Sequence, residues 1–340
     1  MSIRALFLGL FVALYLFPQK GDAHNAKSVG EIRMQQGENI TEVSGLSEAR
    51  PPKNEADLRF WLENMVWHHG YTVEEVALAT GLSQVQTEEA LTRLHICPDN
   101  RPHRRSGDSL TVLPYPGGRH PRIGFLDGAV NPQRETKVSI FTPWDESSYV
   151  VVDVPEAIFS NLGLTYLAHT HVPTLWTQKG ITLPPLEWKR GANGKLEMER
   201  TLPNGITFGA KVAPAKEGVK MELWLRNKTK ERLTALRVQN CVMLRGAKGF
   251  NAQTNDNKVL QSPFAACRSE DGKRYIITAW ERCGRAWANP PCPCLHSDPV
   301  FPDCAPGETV RLRGSVSFYE GNDIQAELTR LLGFFAFMRE

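Results

Sequence analysis

From residue 123 to about residue 320, apolar residues recur at every second position, and that period decides the fold class. Lys137-Val138-Ser139-Ile140-Phe141 and Tyr149-Val150-Val151-Val152-Asp153-Val154 are β-branched and aromatic runs of strand length. Leu196–Thr201, Thr207–Val212, Val219–Leu225, Leu233–Leu244, Tyr275–Trp280 and Thr309–Phe318 continue the series. Asn193-Gly194, Asn204-Gly205, Glu217-Gly218 and Asn227-Lys228 separate them, and such pairs suit tight turns. No long helical pattern alternates with the strands. A parallel α/β sheet is therefore excluded, and the spacing predicts a mainly β chain with an antiparallel β-sandwich over 123–322. Asp323–Leu332 reads as a closing helix, so 323–340 forms a C-terminal helix and tail.

The first residues carry an export pattern. Arg4 precedes an apolar run from Ala5 to Phe17, Pro18 breaks it, and Gly21-Asp22-Ala23 offers small residues for cleavage. The run is shorter than the about 20 apolar residues of a membrane span, so 1–23 is expected to be a signal peptide and the mature chain periplasmic or secreted, with no span. Residues 24–53 are polar and end in Pro51-Pro52, the composition of a disordered linker.

Over 54–97 the period becomes helical. Leu58, Trp61, Leu62, Met65 and Val66 share one face, and Thr72/Glu75 and Ser83/Gln86 are capping-box pairs. The result is a three-helix unit with a helix-turn-helix outline. Its last helix, Gln84 to Arg93, which would be the recognition helix, holds two glutamates and one arginine, which does not suit phosphate contact. The net charge is only +3, with no basic block, so nucleic acid is not expected as a partner and the unit reads as a docking or packing element for protein. Residues 98–122, rich in Pro and Arg, read as a linker.

Leu202-Pro203-Asn204-Gly205, the strand Val219 to Arg226, the Asn227-Lys228-Thr229 turn, and Pro306-Gly307-Glu308-Thr309 before Val310–Phe318 resemble galactose-mutarotase-like supersandwich domains. The chain as a whole also resembles a group of exported bacterial proteins. The first resemblance implies a sugar cleft worked by a histidine acid and a glutamate base on opposite sides of the ring. Where that family places the glutamate, this chain has His296-Ser297-Asp298, so Asp298 is the carboxylate that could stand in. The departure leaves sugar binding without catalysis as an alternative.

Three candidate sites follow. His169 and His171, two apart in a strand, point to one face and could act in catalysis or bind a metal, with His296 as third ligand. Trp144, Trp176, Trp280 and Trp287, with Arg134 and Glu135, are flat aromatic and bidentate polar groups of the kind that bind carbohydrate. Cys283, Cys292, Cys294 and Cys304, four of seven cysteines, read as a disulfide-stapled loop in an exported chain. Zinc or copper held by the same Cys and His residues is the other reading. No nucleophile elbow, phosphate loop or dinucleotide fingerprint appears. The expected function is thus binding of a carbohydrate or small molecule, with isomerase or epimerase chemistry. The alternatives are a metal-dependent enzyme and a non-catalytic structural or interaction protein.

Overall fold

The computed structural model describes residues 49–117, 119, 134–168 and 172–337. The expected signal segment, most of the 24–53 linker, and His169 and His171 lie outside the described residues.

Among the described residues, four α-helices flank the sandwich. Asn54 caps α1 (Glu55–Leu62) by accepting the Asp57 N–H at 2.9 Å. A π-helical turn, Glu63–His68, continues α1. Both expected capping boxes form, Thr72/Glu75 at α2 (Val73–Thr80) and Ser83/Gln86 at α3 (Gln84–Leu94). Trp61, Leu62, Met65, Val76, Ala90 and Leu94 give these helices a core of their own. The fourth helix, α4 (Ile324–Phe337), closes the described chain.

Between the helices run fifteen strands among the described residues: β1 (Val112–Pro114), β2 (Lys137–Phe141), β3 (Tyr149–Ser160), β4 (Gly163–Leu167), β5 (Lys189–Arg190), β6 (Leu196–Thr201), β7 (Ile206–Pro214), β8 (Gly218–Asn227), β9 (Val238–Met243), β10 (Lys258–Gln261), β11 (Phe264–Arg268), β12 (Arg274–Trp280), β13 (Cys283–Trp287), β14 (Cys294–Pro299) and β15 (Thr309–Glu320). They form two antiparallel sheets. The first has the order β1-β2-β3-β9-β14-β13, with β4 also on β3; the second runs β10-β11-β12-β15-β8-β7-β6-β5. The inward residues of both, among them Val138, Ile140, Val152, Phe208, Leu223, Leu225, Leu295 and Leu312, form one core. The period-two pattern thus buries one face of each sheet against the other, as a sandwich requires. Gly314 lies under the Trp280 indole, and a Cβ there would overlap the ring.

The outer faces are covered differently. On the second sheet Leu328 and Leu331 of α4 pack on Phe264, Ala266, Tyr275, Ile277 and Ala279. On the first sheet the helical unit sits over the β1–β2 edge. His69 bridges the two: its Nδ1–H donates to the Asn64 carbonyl at 2.9 Å, and its Nε2 accepts from the Ser139 hydroxyl at 2.7 Å. Asn64 Nδ2 donates to the Pro114 carbonyl at 3.0 Å.

Two segments differ from their sequence reading. Within the expected 98–122 linker, Val112–Pro114 pairs with β2 and Leu110, Val112 and Tyr115 are buried. The expected stapled loop is instead the hairpin β13–β14, and no disulfide joins the seven cysteines. The pairing explains why. Cys283 is set opposite Pro299, far along the hairpin from Cys294, and Cys304 lies beyond it, opposite Leu233.

Candidate thiol–imidazole site

Alternation along three adjacent strands creates a second environment on the outer face of the first sheet. Val152, Val242 and Leu295 enter the sandwich core, whereas Val151, Cys241, Met243 and Cys294 pack together on the opposite side with Tyr115 and Cys292. In the β9–β14 ladder Cys294 faces Met243 and Leu295 faces Val242, so the same register sets His296 opposite Cys241. Asp153 faces Cys241 from β3, and Trp287 faces His296 from β13. Lys137, opposite Asp153, ends the row in a fully buried ion pair with N–O separation of 3.1 Å. Five strands thereby bring Lys137, Asp153, Cys241, His296 and Trp287 into one line.

Cys241, Cys294 and His296 converge. Their donor atoms all lie within 4.8 Å of one another, and all three residues are buried. Cys294 Sγ is 3.4 Å from His296 Nε2. Two ligands of a tetrahedral zinc ion, with Zn–S about 2.3 Å and Zn–N about 2.0–2.1 Å, stand about 3.5 Å apart. The sulfur and nitrogen already hold that separation. The other ring nitrogen, His296 Nδ1, is buried without a hydrogen-bond partner, 3.9 Å from Glu156 Oε2 and 3.8 Å from Asp298 Oδ1. A ligating imidazole commonly turns its second nitrogen toward a carboxylate, so the orphaned Nδ1 fits the same donor set.

The surroundings hold these groups in place. Trp287 stacks on the imidazole with centroids 4.0 Å apart, and its Nε1–H donates to Asp298 Oδ2 at 2.5 Å. The Arg285 guanidinium lies over the same indole at 4.2 Å. The Asn240 N–H donates to Asp298 Oδ1 at 3.2 Å, and Gln239 Nε2 donates to Glu156 Oε2 at 2.9 Å.

Charge follows from this packing. A hydrogen bond from Cys241, with further help from His296, holds the Cys294 thiol well below the ordinary thiol range despite its burial. Burial opposes charge on His296, yet Cys294, Glu156 and Asp298 outweigh it and raise the imidazole above its usual value. Burial pushes the Asp298 carboxyl up to about 6, against the pull of His296 and of its two N–H donors. At Cys267, by contrast, burial outweighs the pull of Lys258 and pushes the thiol up to about 11. The thiolate, toward which Cys294 is held, is the form that ligates metals.

The expected site residues distribute unevenly over the molecule. Cys294, His296, Trp287 and Asp298 meet here. Cys292 packs beside them, and Cys283 and Cys304 do not join them: Cys283 Sγ is 3.4 Å from Ser297 Oγ, and Cys304 Sγ lies 3.4 Å from the Glu308 carbonyl. The four tryptophans do not share one concave face. Trp176 and Trp280 are in the sandwich core, and Trp144 packs on Phe250 and Phe318. Arg134 and Glu135 instead tie chain segments together. Arg134 stacks on Trp61 at 4.0 Å and pairs with Glu187 at 3.2 Å, and Glu135 binds Arg50 at 2.6 Å and Arg200 at 2.5 Å. Cys241 was missed in the sequence. Its only signal there is a cysteine at an outward position of a strand whose alternate residues are core.

No protein-family model matches the chain. No curated protein matches it. Among solved structures it is similar to one from Escherichia coli K12 described as an aldose 1-epimerase, with TM-score 0.35, 8% identity, and coverage of 54% of this chain and 96% of that one. A Synechocystis sp. PCC 6803 protein has TM-score 0.33 and 10% identity over 54% of this chain and 88% of its own. A structure from Salmonella typhimurium described as a mutarotase has TM-score 0.30 and 9% identity over the same shares, 54% and 88%. The likeness is distant, and it carries no residue role over to this chain.

Proposed function

We propose that this chain binds a thiophilic divalent metal ion, zinc above others, through Cys241 Sγ, Cys294 Sγ and His296 Nε2, and works as a metal-dependent enzyme. The observation that supports this is the convergence of two thiols and an imidazole nitrogen within 4.8 Å on one buried sheet face. Three protein ligands leave a fourth coordination position, the arrangement of catalytic rather than closed structural zinc sites. A zinc ion in such a position supplies Lewis acidity toward a carbonyl or a bound water. The chain's own residues do the rest. Trp287 stacks on the imidazole and, together with the Asn240 N–H, fixes Asp298; Gln239 fixes Glu156. The two carboxylates stand ready to take or return a proton beside His296.

Elemental analysis of the reconstituted protein tests the reading. One equivalent of zinc is expected in the parent and in a His169→Ala/His171→Ala variant, and loss of binding in Cys241→Ser and Cys294→Ser. Absence of metal from the parent would overturn it. So would metal that survives Cys294→Ser and vanishes in the double histidine variant, which would restore the His169, His171, His296 set.

A carbohydrate is the second reading, supported by a different place. Glu135, Tyr166, Thr174, Trp176, Thr177 and Arg200 line a cavity of about 290 Å³ that apolar Leu167, Val172 and Leu183 also border. Directional polar groups around an apolar wall suit a sugar ring. Titration calorimetry against a panel of monosaccharides, repeated on Arg200→Ala, decides it. Saturable binding lost in the variant supports the reading, and no heat with any sugar sinks it.

A further inference from the structure

The metal ligands include two sulfurs close enough to react with each other. His296 stands opposite Cys241, so Cys294, two residues earlier on β14, is the diagonal neighbour of Cys241 on the same face. Their Sγ atoms are within the 4.8 Å of the cluster, while no other described cysteine belongs to it. A disulfide needs the sulfurs at about 2.0 Å, and diagonal neighbours stand about 7–8 Å apart at Cα, at the outer limit of what a disulfide spans, so closure requires β14 to shift against β9. The two uses of these sulfurs exclude one another. Thiolates bind zinc, whereas disulfide sulfurs have lost the charge that does so, and His296 alone is a weak site.

We infer that Cys241 and Cys294 form a reversible disulfide that expels the metal, so that a hydroperoxide-class oxidant sets the occupancy of the site; this rests on the metal reading above. The Cys294 thiolate attacks one peroxide oxygen. The S–O bond forms, the O–O bond breaks, and the departing hydroxide takes up a proton as water. The Cys241 sulfur, a thiolate as the metal leaves it, then attacks the Cys294 sulfenic sulfur; the S–S bond forms, the S–O bond breaks, the leaving hydroxide keeps its own hydrogen and takes one proton from solvent to depart as a second water, and the metal departs as the divalent ion. Two thiols lose two electrons, and the peroxide gains them. A dithiol reductant reverses the sequence and restores both ligands.

The test uses the full chain loaded with one equivalent of zinc and titrated with hydrogen peroxide. Zinc release is followed with a chromophoric chelator, and the thiols are mapped by peptide mass spectrometry. The expected result is stoichiometric release in step with the loss of two hydrogen atoms, a cross-link between the peptides that carry Cys241 and Cys294, and full rebinding after reduction. A Cys292→Ser variant should behave as the parent, which shows that the neighbouring cysteine is not the partner. Zinc retained while other thiols oxidise, or released only with over-oxidation of single cysteines, overturns the inference and leaves the metal reading standing. The same titration on protein never given zinc separates the two failures. A chain that takes up no zinc, whether or not it forms the cross-link, sinks the metal reading and the switch with it.

Discussion

Acid should loosen the seam between the helical unit and the first sheet, and His69 should be the main cause. The imidazole is buried, with Nδ1–H donating to the Asn64 carbonyl and Nε2 accepting from Ser139. Both nitrogens are thus used by the neutral ring. Burial, with minor contributions from His68, Arg119 and Arg101, pushes its pKa from 6.5 down to about 3. The folded value lies below the unfolded one, so the folded state binds fewer protons. The stability it contributes is complete above pH 6.5 and falls as pH drops toward 3, by about 1.4 kcal/mol per unit. Between pH 6.5 and 5 the loss from this group is about 2 kcal/mol. His68, also lowered by burial, acts in the same direction. The assay is urea unfolding of parent and His69→Gln at several pH values across that range. The variant should start less stable at pH 7 and show a shallower pH slope by about one proton, since distant groups titrate alike in both. Equal slopes would refute the reasoning.

Two further perturbations test the packing. Gly314→Ala sets a methyl against the Trp280 indole in the sandwich core and should cost about 1–3 kcal/mol, read as a lowered melting temperature and altered tryptophan fluorescence. Unchanged stability would mean that the indole moves aside freely. Lys137→Met leaves the Asp153 carboxylate buried without its cation and should cost about 3–5 kcal/mol, while Lys137→Met/Asp153→Leu should recover much of it. A double variant less stable than the single would contradict that account.

The sandwich was legible because its signals are local. Leu196–Thr201 alternates, Asn204-Gly205 turns the chain, and Ile206–Pro214 pairs back on it in register, all within a few residues. The helix starts were legible for the same reason, since each cap and its partner are three residues apart. Strand β14 was not. Prolines and cysteines dominate Cys283–Cys304, and they mask the alternation of Cys294, His296 and Asp298 with Leu295 and Ser297. The site itself needs the register of β9 against β14, which joins Cys241 to residues more than fifty positions away. Nothing local encodes that pairing. Half of the site was nonetheless visible as an unusual density of Cys, His and Asp. Arg134 and Glu135 were singled out by their chemistry alone. In the fold Arg134 packs on Trp61 and pairs with Glu187, while Glu135 pairs with Arg200 at the wall of the cavity described above.

The central claim is the ligand set, and X-ray absorption at the zinc edge of the reconstituted protein tests it most directly. Two sulfur scatterers at about 2.3 Å with nitrogen or oxygen at about 2.0–2.1 Å are expected, and one sulfur should disappear in Cys294→Ser. A first shell of nitrogen and oxygen alone in the parent would place the metal elsewhere and contradict the account.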